Sequence, residues 1–502
     1  MGMALERCME PVRTAAGLEA DWNTERNSEK GWPQFLESVS IDGLRGWRGE
    51  EIEFRFPVVA IAGVNGSGKS TVLKAAATAY RAKKTTSKHL KSVTFNPDDF
   101  FPSTPWENVN GVVLEHRFRL GGEVRTVRIR KRTERWRGMP SRAERVLFFL
   151  DISRIQPIDT LIGYGKLAKS AAFSGDGMLE LSDEFRALLS RVLGISFSSG
   201  KVLSQGEKQV GVLERNNMTY SNYHQGAGED TTADLVAMLQ ELPRNSLVVI
   251  DEVEASLHPR AQRRLMAELL DVARRKRLQF ILSTHSPYIF EQLPQTARIF
   301  IHLDRSYGRQ VIYGVTPEFA LSLMDDVGHP ELTLYCEDAE SVFLVDRIVS
   351  YEDFNSTLAK RIRMVSVGPA STVKAIGRVA AEGKLPGKGL GVLDGDQDLA
   401  EGCIKIPGSK SPEATLFQSF TSAQWASVAE LLGVRPGDLE DAVEDAMRLE
   451  NVHTWCRRTA ERLGPRVRAQ RVWEDAVSVW VDQILPDADR KAFVEEIRSR
   501  LG

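Results

Sequence analysis

Two sets of residues in this chain of 502 have the types and spacing that do chemistry. The first is Gly63-Val64-Asn65-Gly66-Ser67-Gly68-Lys69-Ser70-Thr71, set between the apolar run Val58-Val59-Ala60-Ile61-Ala62 and a helix-prone segment that begins at Ser70. Its three glycines let the backbone turn N–H groups onto phosphate oxygens, and the following helix adds its positive end. Lys69 would reach the β- and γ-phosphates, and the Ser70 hydroxyl would hold Mg²⁺. Strand, loop, Lys-Ser and helix arrive in the order a P-loop requires, so Gly63, Asn65, Gly66, Ser67, Gly68, Lys69, Ser70 and Thr71 are the expected ATP contacts. A second apolar strand, Ser246 to Ile250, ends in Asp251-Glu252. Asp251 would join the Mg²⁺ shell, and Glu252 would polarise the attacking water from the strand end that faces the γ-phosphate.

The second set is acidic. Thr333-Leu334-Tyr335-Cys336 ends in Glu337-Asp338 and precedes an amphipathic helix. Ile362 to Val367 is a second strand with its own helix. A third, Gly389 to Leu393, runs into Asp394-Gly395-Asp396-Gln397-Asp398. Acids at neighbouring parallel-strand ends converge in one crevice, where hard oxygen ligands hold Mg²⁺ against a phosphodiester. Glu337, Asp394 and Asp396 are the expected ligands, with Asp338, Glu340 and Asp398 nearby, and Mn²⁺ would serve there too. Lys405 and Lys410 either stabilise a pentacovalent phosphate or line a solvated loop.

The elements that position these groups form at least two domains, because the chain is too long for a single core. Phe35 to Phe56 alternates apolar and polar residues around glycine-containing turns, as strands leading into the P-loop strand do. Gly111 to Trp136 reads as a hairpin about Gly121-Gly122, with Leu114, His116, Phe118, Leu120, Val127 and Ile129 on one face. Its other face is basic: Arg117, Arg119, Arg128, Arg130 and Arg132 alternate outward, followed by Lys131, Arg135, Arg137, Arg142 and Arg145. Such a ladder suits a nucleic-acid backbone, or equally a solvated sheet face. The net charge of −2 gives no global pull toward nucleic acid, so local clusters carry that argument. Cys8, Cys336, Cys403 and Cys456 are scattered, without zinc or disulfide spacing, which fits a reducing, cytoplasmic setting. No run is long and apolar enough to cross a bilayer, and the N-terminus lacks a signal pattern. Residues 1–34 read as an N-terminal extension.

The opening strands, the P-loop and the run Asp251-Glu252-Val253-Glu254-Ala255-Ser256-Leu257-His258-Pro259 together resemble the head domains of non-transporter ABC-type ATPases, the RecF, SMC and OLD (overcoming lysogenization defect) group. The resemblance implies a switch histidine, His285, in Ser283-Thr284-His285-Ser286-Pro287. It also implies a glutamine loop, for which Gln156 is the candidate, and a signature loop that acts across a head-to-tail homodimer or higher even-numbered oligomer. Two stretches compete for that signature. Leu203-Ser204-Gln205-Gly206-Glu207 matches in letters, but residues 208–223 alternate about Asn216-Asn217 as a hairpin does. Gly226-Ala227-Gly228-Glu229-Asp230 opens a helix with Leu235, Met238, Leu239 and Leu242 on one face, so Gly226, Gly228 and Glu229 are the expected signature residues. No sustained heptads separate the motifs, so long coiled-coil arms are not expected.

The acidic half resembles a TOPRIM domain, with Glu337 after the first strand and Asp394-x-Asp396 after the third. It departs from that pattern in having Asp338 in place of glycine and Ser341 where a second acid is usual. ATPase followed by TOPRIM resembles the OLD family and related bacterial anti-phage ATPases over residues 35–415. The expected fold is α/β: an ABC-type head with a mixed sheet and an antiparallel lobe (35–325), a TOPRIM-like parallel domain (330–415) and a helical subdomain (416–502). The function this implies is an ATP-regulated, Mg²⁺-dependent nuclease acting on DNA in defence. Two alternatives stand beside it: a sensor or scaffold ATPase controlling a separate effector protein or a retron-type DNA/RNA, and a RecF-like repair ATPase.

Overall fold

The computed structural model describes residues 15–501, apart from 86, 88, 89, 91, 156–177, 206–207, 305–307, 326–328, 354–357 and 386. Gln156, Gly206 and Glu207 therefore lie outside the described residues. The chain divides into two compact units, the first ending at Met324 and the second beginning at Asp325.

In the first unit, helix α1 (15–25) precedes β1 (Gln34–Asp42), β2 (Arg48–Glu53), β3 (Val58–Ala62) and α2 (Lys69–Ala77). Then come β4 (Val112–Leu120), β5 (Glu123–Lys131) and β6 (Leu147–Leu150). A meander of β7 (Ser199–Gln205), β8 (Lys208–Arg215) and β9 (Met218–Ser221) follows, then α3 (Ala227–Glu241) and β10 (Leu247–Ile250). Next come α4 (Pro259–Lys276), β11 (Gln279–Ser283), β12 (Arg298–Asp304) and β13 (Gly308–Tyr313), and the unit closes with a helix over Pro317–Met324. The central sheet has the order β13-β12-β3-β11-β10-β6 and is parallel except for β13. Its inner strands β3, β10 and β11 are buried at every position, as continuous apolar runs covered on both faces must be.

A five-stranded antiparallel lobe, β2-β1-β4-β5 with Trp136–Arg137 at its edge, carries the hairpin. Leu114 pairs with Ile129 and His116 with Val127 across it, and all four are buried. The outer face is not the open ladder that alternation predicts. Helix α1 covers one end of it with Trp22, and Arg119 is buried there, stacked 5.6 Å from the Trp22 ring and hydrogen-bonded to Asn27. Arg117 pairs with Glu37 and Arg128 with Glu115. Lys131 is buried against Asp98, and Arg142 and Arg145 turn inward onto carbonyls of Thr78, Phe95 and Asn245. Arg130 and Arg132 stay exposed. Within the N-terminal extension, residues 15–25 join the core through Leu18 and Trp22, and Asp21 bonds Arg274 and Arg277 of the α4 end.

The second unit contains β14 (Leu332–Cys336), α5 (Ala339–Glu352), β15 (Ile362–Ser366), α6 (Ala370–Ala381), β16 (Lys388–Leu393) and β17 (Cys403–Lys405). Its sheet, β15-β14-β16-β17, is wholly parallel. Six helices follow: α7 (Pro412–Ser419), α8 (Ser422–Leu432), α9 (Pro436–Met447), α10 (Trp455–Leu463), α11 (Ala469–Gln483) and α12 (Asp487–Leu501). Leu334 and Val392 of the sheet share one apolar cluster with Trp425, Trp473 and Trp480 of the helices, so residues on both sides of 415 are held by a single core. Among the described residues no helix is long and apolar enough to cross a membrane.

Candidate functional sites

The phosphate loop follows β3 at the end of the central sheet. Gly63 and Gly68 have φ of +154° and +104°, and neither tolerates a side chain. A Cβ at Gly63 would sit 2.5 Å from the Ile301 carbonyl oxygen, and one at Gly68 would sit 2.8 Å from Trp47 Nε1. Glycine is therefore required there by close approach as well as by backbone shape. Lys69 is buried and donates to the carbonyls of Gly63 at 2.9 Å and Val64 at 3.2 Å. Burial holds its pKa below the ordinary lysine value, offset in part by the charges of Asp251, Glu252 and Glu254.

Strand order brings those carboxylates to the loop. β11 lies between β3 and β10, pairing Leu282 with both Ala60 and Ile250, so Asp251, Ser283 and Gly63 share one sheet edge. The Ser283 hydroxyl donates to Asp251 Oδ1 at 2.5 Å and accepts from the Glu252 N–H at 2.8 Å. Glu252 has φ of +49°, a left-handed conformation that a non-glycine residue holds only when its surroundings enforce it. The Glu254 carboxylate accepts the His285 N–H at 2.5 Å. Burial, then the charge of Lys69, keeps the His285 imidazole below its ordinary pKa. His258 accepts the Ala261 N–H through Nδ1 and caps α4.

Of the two signature stretches, Leu203 to Gln205 ends strand β7, paired to β8 with Gln205 opposite Lys208. Gly226 caps α3 at its N-terminus, and Gly228 lies in that helix's first turn. A Cβ on Gly228 would collide with the Ser256 carbonyl of the turn after Asp251. The Glu229 carboxylate accepts the Tyr220 hydroxyl. Burial, then that bond, pushes the Tyr220 phenol up to about 12.

Sequence reasoning missed one pair that supports the loop. Arg309 on β13 donates Nε to the Ser67 carbonyl at 2.8 Å and stacks 5.2 Å from the ring centroid of Trp47. Trp47, only 1% exposed, in turn backs Gly68. Arg309 lies 242 residues from Ser67, so no local pattern announces the contact. The donor set as a whole suits a nucleotide triphosphate with Mg²⁺: a glycine cradle that a Cβ would fill, a buried lysine, and an aspartate at the adjacent strand end.

Two family models match the chain. One, described as "AAA domain, putative AbiEii toxin, Type IV TA system", matches residues 170–291; the other, described as "AAA domain", matches residues 38–136. No curated protein matches the chain. Among solved structures, the SMC head domain from Thermotoga maritima is similar at 17% identity and a TM-score of 0.34, over 55% of this chain and 98% of that one. The Smc head domain from Pyrococcus furiosus, bound to the C-terminal domain of ScpA, is similar at 11% identity and a TM-score of 0.38, over 58% and 98%. The matched segments contain the P-loop, Asp251-Glu252 and His285, and they define the class: the first unit is an AAA-type P-loop ATPase domain, built on a mixed α/β sheet.

In the second unit, Glu337 and Asp394 follow the adjacent strands β14 and β16, which pair in parallel through Tyr335 and Gly391. Glu337 accepts the backbone N–H groups of Asp394 and Ala370, and burial still raises its pKa. Its Oε1 is buried without a partner. Asp394 is pushed up to about 7 by burial and then by the Glu337 charge, and it accepts the Ser341 hydroxyl at 2.9 Å. Asp338 caps α5 by accepting the Ser341 N–H at 2.7 Å, which commits it to the helix. Asp396 and Asp398 are exposed, and Lys410 is exposed with its ammonium on Gln418. Among the described residues no three His, Cys, Asp or Glu side chains converge as a metal-holding group. The structure brings Glu337 and Asp394 to adjacent strand ends and leaves Asp396 exposed, with its charge still raising the pKa of both. Two carboxylates and an orphaned buried oxygen still fit Mg²⁺, which keeps several waters and takes its remaining ligands from substrate phosphate.

Proposed function

We propose that the chain is an ATP-regulated, Mg²⁺-dependent phosphodiesterase acting on nucleic acid, DNA foremost, in a TOPRIM-like second unit, with a defence role of the OLD kind. The observation that carries this reading is the pairing of Glu337 with Asp394 at adjacent parallel strand ends. Both carboxyls there hold protons more tightly than usual because burial, and then the charges of neighbouring carboxylates, disfavour ionisation without a cation. Glu337 and Asp394 would hold Mg²⁺, which would supply Lewis-acid polarisation of a phosphoryl oxygen. Ser341 holds Asp394 through its hydroxyl, and the backbone N–H groups of Asp394 and Ala370 orient Glu337.

In the first unit, Lys69 and the loop N–H groups bind the β- and γ-phosphates, Glu252 orients the attacking water and His285 meets the γ-phosphate. The signature residues Gly226, Gly228 and Glu229 act on the site of a second copy, so ATP favours a head-to-tail homodimer. Closure and reopening of that dimer set access to the acid crevice.

One observation favours a second reading, an ATPase sensor for a separate effector: Asp338 is committed to a helix cap and Ser341 replaces a second acid. A single comparison separates the two. Purified protein is expected to nick plasmid DNA with Mg²⁺ or Mn²⁺, and Asp394→Ala to stop nicking while ATP hydrolysis continues. An absence of nicking together with biological activity in Asp394→Ala would leave the sensor reading standing.

A further inference from the structure

The C-terminal helices bring a different chemistry to the acid crevice. Gly395, next to Asp394, packs so tightly on the turn before α7 that a Cβ would lie 2.7 Å from the Lys410 carbonyl oxygen. Thr415 of α7 donates its hydroxyl to that same carbonyl at 3.4 Å. Glu413, in the first turn of α7, is buried, and its Oε1 lies 2.7 Å from Nδ1 of His453. From the other side, Trp473 of α11 donates Nε1 to the Glu340 carbonyl at 3.2 Å, in the first turn of the helix that Asp338 caps.

The start of α5, the loop after β16 and the start of α7 therefore meet, and His453 stands within the field of Asp338 and Asp394. The Glu413 hydrogen bond raises the imidazole pKa. Burial offsets this in part, and the charges of Glu413, Asp338 and Asp394 raise it further. Donation of Nδ1–H to a buried carboxylate fixes the ring and leaves Nε2 for a second partner. The His453 side chain is 65% exposed, so an incoming phosphodiester can reach it. A surface ion pair by itself would be worth little. Glu413, however, is a buried carboxylate beside an acidic site, a position that costs stability unless its partner stays charged.

We propose that His453, oriented by Glu413, is the general acid for phosphodiester cleavage at the Glu337–Asp394 crevice, an inference that rests on the phosphodiesterase reading above. In the step, a water oxygen forms a bond to phosphorus and the bond from phosphorus to the leaving sugar oxygen breaks. The released electron pair stays on that oxygen, which takes the proton from His453 Nε2. The attacking water gives its proton to solvent and the neutral imidazole regains one from solvent, so the products are a phosphomonoester and an alcohol. Neither residue has a motif that marks it. They lie 40 positions apart and more than 50 beyond the first acid.

The test uses the full chain and oligodeoxynucleotides with either oxygen or sulfur at the bridging leaving-group position, the sulfur probe made in both the 3′ and 5′ forms. A thiolate leaves without a proton. His453→Gln is therefore expected to slow the oxygen substrate by about 100-fold and the matching sulfur substrate by no more than about 3-fold. Glu413→Gln, which keeps a hydrogen-bond acceptor but loses the charge, is expected to shift the alkaline fall in oxygen-substrate cleavage to lower pH. Cleavage of the sulfur substrate near the wild-type rate in both variants serves as the check that the second unit is folded. Equal slowing of both substrates, or of neither, overturns the role of His453 while leaving the phosphodiesterase reading intact. If wild type cleaves neither substrate with Mg²⁺ or Mn²⁺, that reading falls and this inference falls with it.

Discussion

The two sites handle charge in opposite ways. Around the P-loop a buried ammonium, Lys69, stands among Asp251, Glu252 and Glu254, whose negative charges offset part of the cost of burying it. In the crevice two carboxylates, Glu337 and Asp394, follow adjacent strands, and the proton affinity that burial has raised is raised further at Asp394 by Glu337 and at both by Asp338 and Asp396. The first arrangement is electrostatically closed and works by presenting backbone N–H groups and one cation to phosphates. The second is electrostatically open and is completed by whatever cation reaches it. One site is thus arranged for a nucleotide, and the other, in the proposed function, would take a metal ion with a phosphodiester.

The largest expected effect breaks the first arrangement at its cation. Lys69→Ala is expected to lower kcat for ATP hydrolysis by about 100- to 1,000-fold, as loss of a preorganised charge on a developing anion does. Steady-state phosphate release measures it, and a loss under 5-fold would show that Lys69 does not meet the phosphates.

Next is the support behind the loop. Arg309→Ala removes the bond to Ser67 and the stack on Trp47, and is expected to raise KM for ATP by about 10-fold, equivalent to about 1.4 kcal/mol, with kcat within about 3-fold. Arg309→Lys is not expected to rescue it, because an ammonium on a flexible stem lacks the planar stack. A kcat loss with unchanged KM would place Arg309 in the chemistry instead.

The like-charge crevice makes a thermal prediction whose sign is fixed. The folded-state pKa of Asp394 is raised to about 7 from 3.8, so the stability tied to its proton is fully present below about pH 4 and lost as pH rises through about 7. Asp394→Asn keeps the shape without the charge. It is expected to raise Tm at pH 8 in metal-free buffer by a few degrees, roughly 1–3 kcal/mol, and to change Tm little at pH 4. A lower Tm at pH 8 would mean that the charge is already compensated.

The smallest effect concerns the basic ribbon. With Arg119, Lys131, Arg142 and Arg145 buried and Arg117 and Arg128 paired, Arg130 and Arg132 stay exposed on the hairpin, with Arg137 exposed opposite Arg130 on the edge strand and Arg135 exposed in the turn before it. Arg130→Glu with Arg132→Glu is expected to weaken DNA binding only a few-fold at low salt and to reduce the salt slope by about two. A loss of several decades would restore the ribbon as a main nucleic-acid surface.

How much the sequence reveals depends on where the determinants lie along the chain. The P-loop, Asp251-Glu252 and His285 each sit at the end of an apolar strand, so strand periodicity and sequence order are enough to bring them to one sheet edge. The three strands of the acid half are readable for the same reason, as are the Asn216-Asn217 turn, whose residues both have positive φ, and the helix that opens after Gly226. Anything decided by a partner distant in sequence escapes such reading. Arg119 alternates outward on paper, but α1 covers that end of the sheet. Asp338 has the look of a ligand, yet the helix it begins claims its carboxylate. Asp396 shares a motif with Asp394, but Gly395 folds against the 408–410 turn and leaves Asp396 exposed. Arg309 and the Glu413–His453 pair carry no motif, since their meaning exists only once the fold has assembled them.

The central claim is that the closed site governs the open one, and one measurement tests it most directly: the rate of Mg²⁺-dependent DNA cleavage by wild type and by Lys69→Ala, each with and without ATP. ATP is expected to change the wild-type rate by about 10-fold or more, consistent with a coupling of about 1–3 kcal/mol, and to leave the Lys69→Ala rate unchanged. Cleavage that is equal in all four conditions would show two independent enzymes on one chain and contradict it.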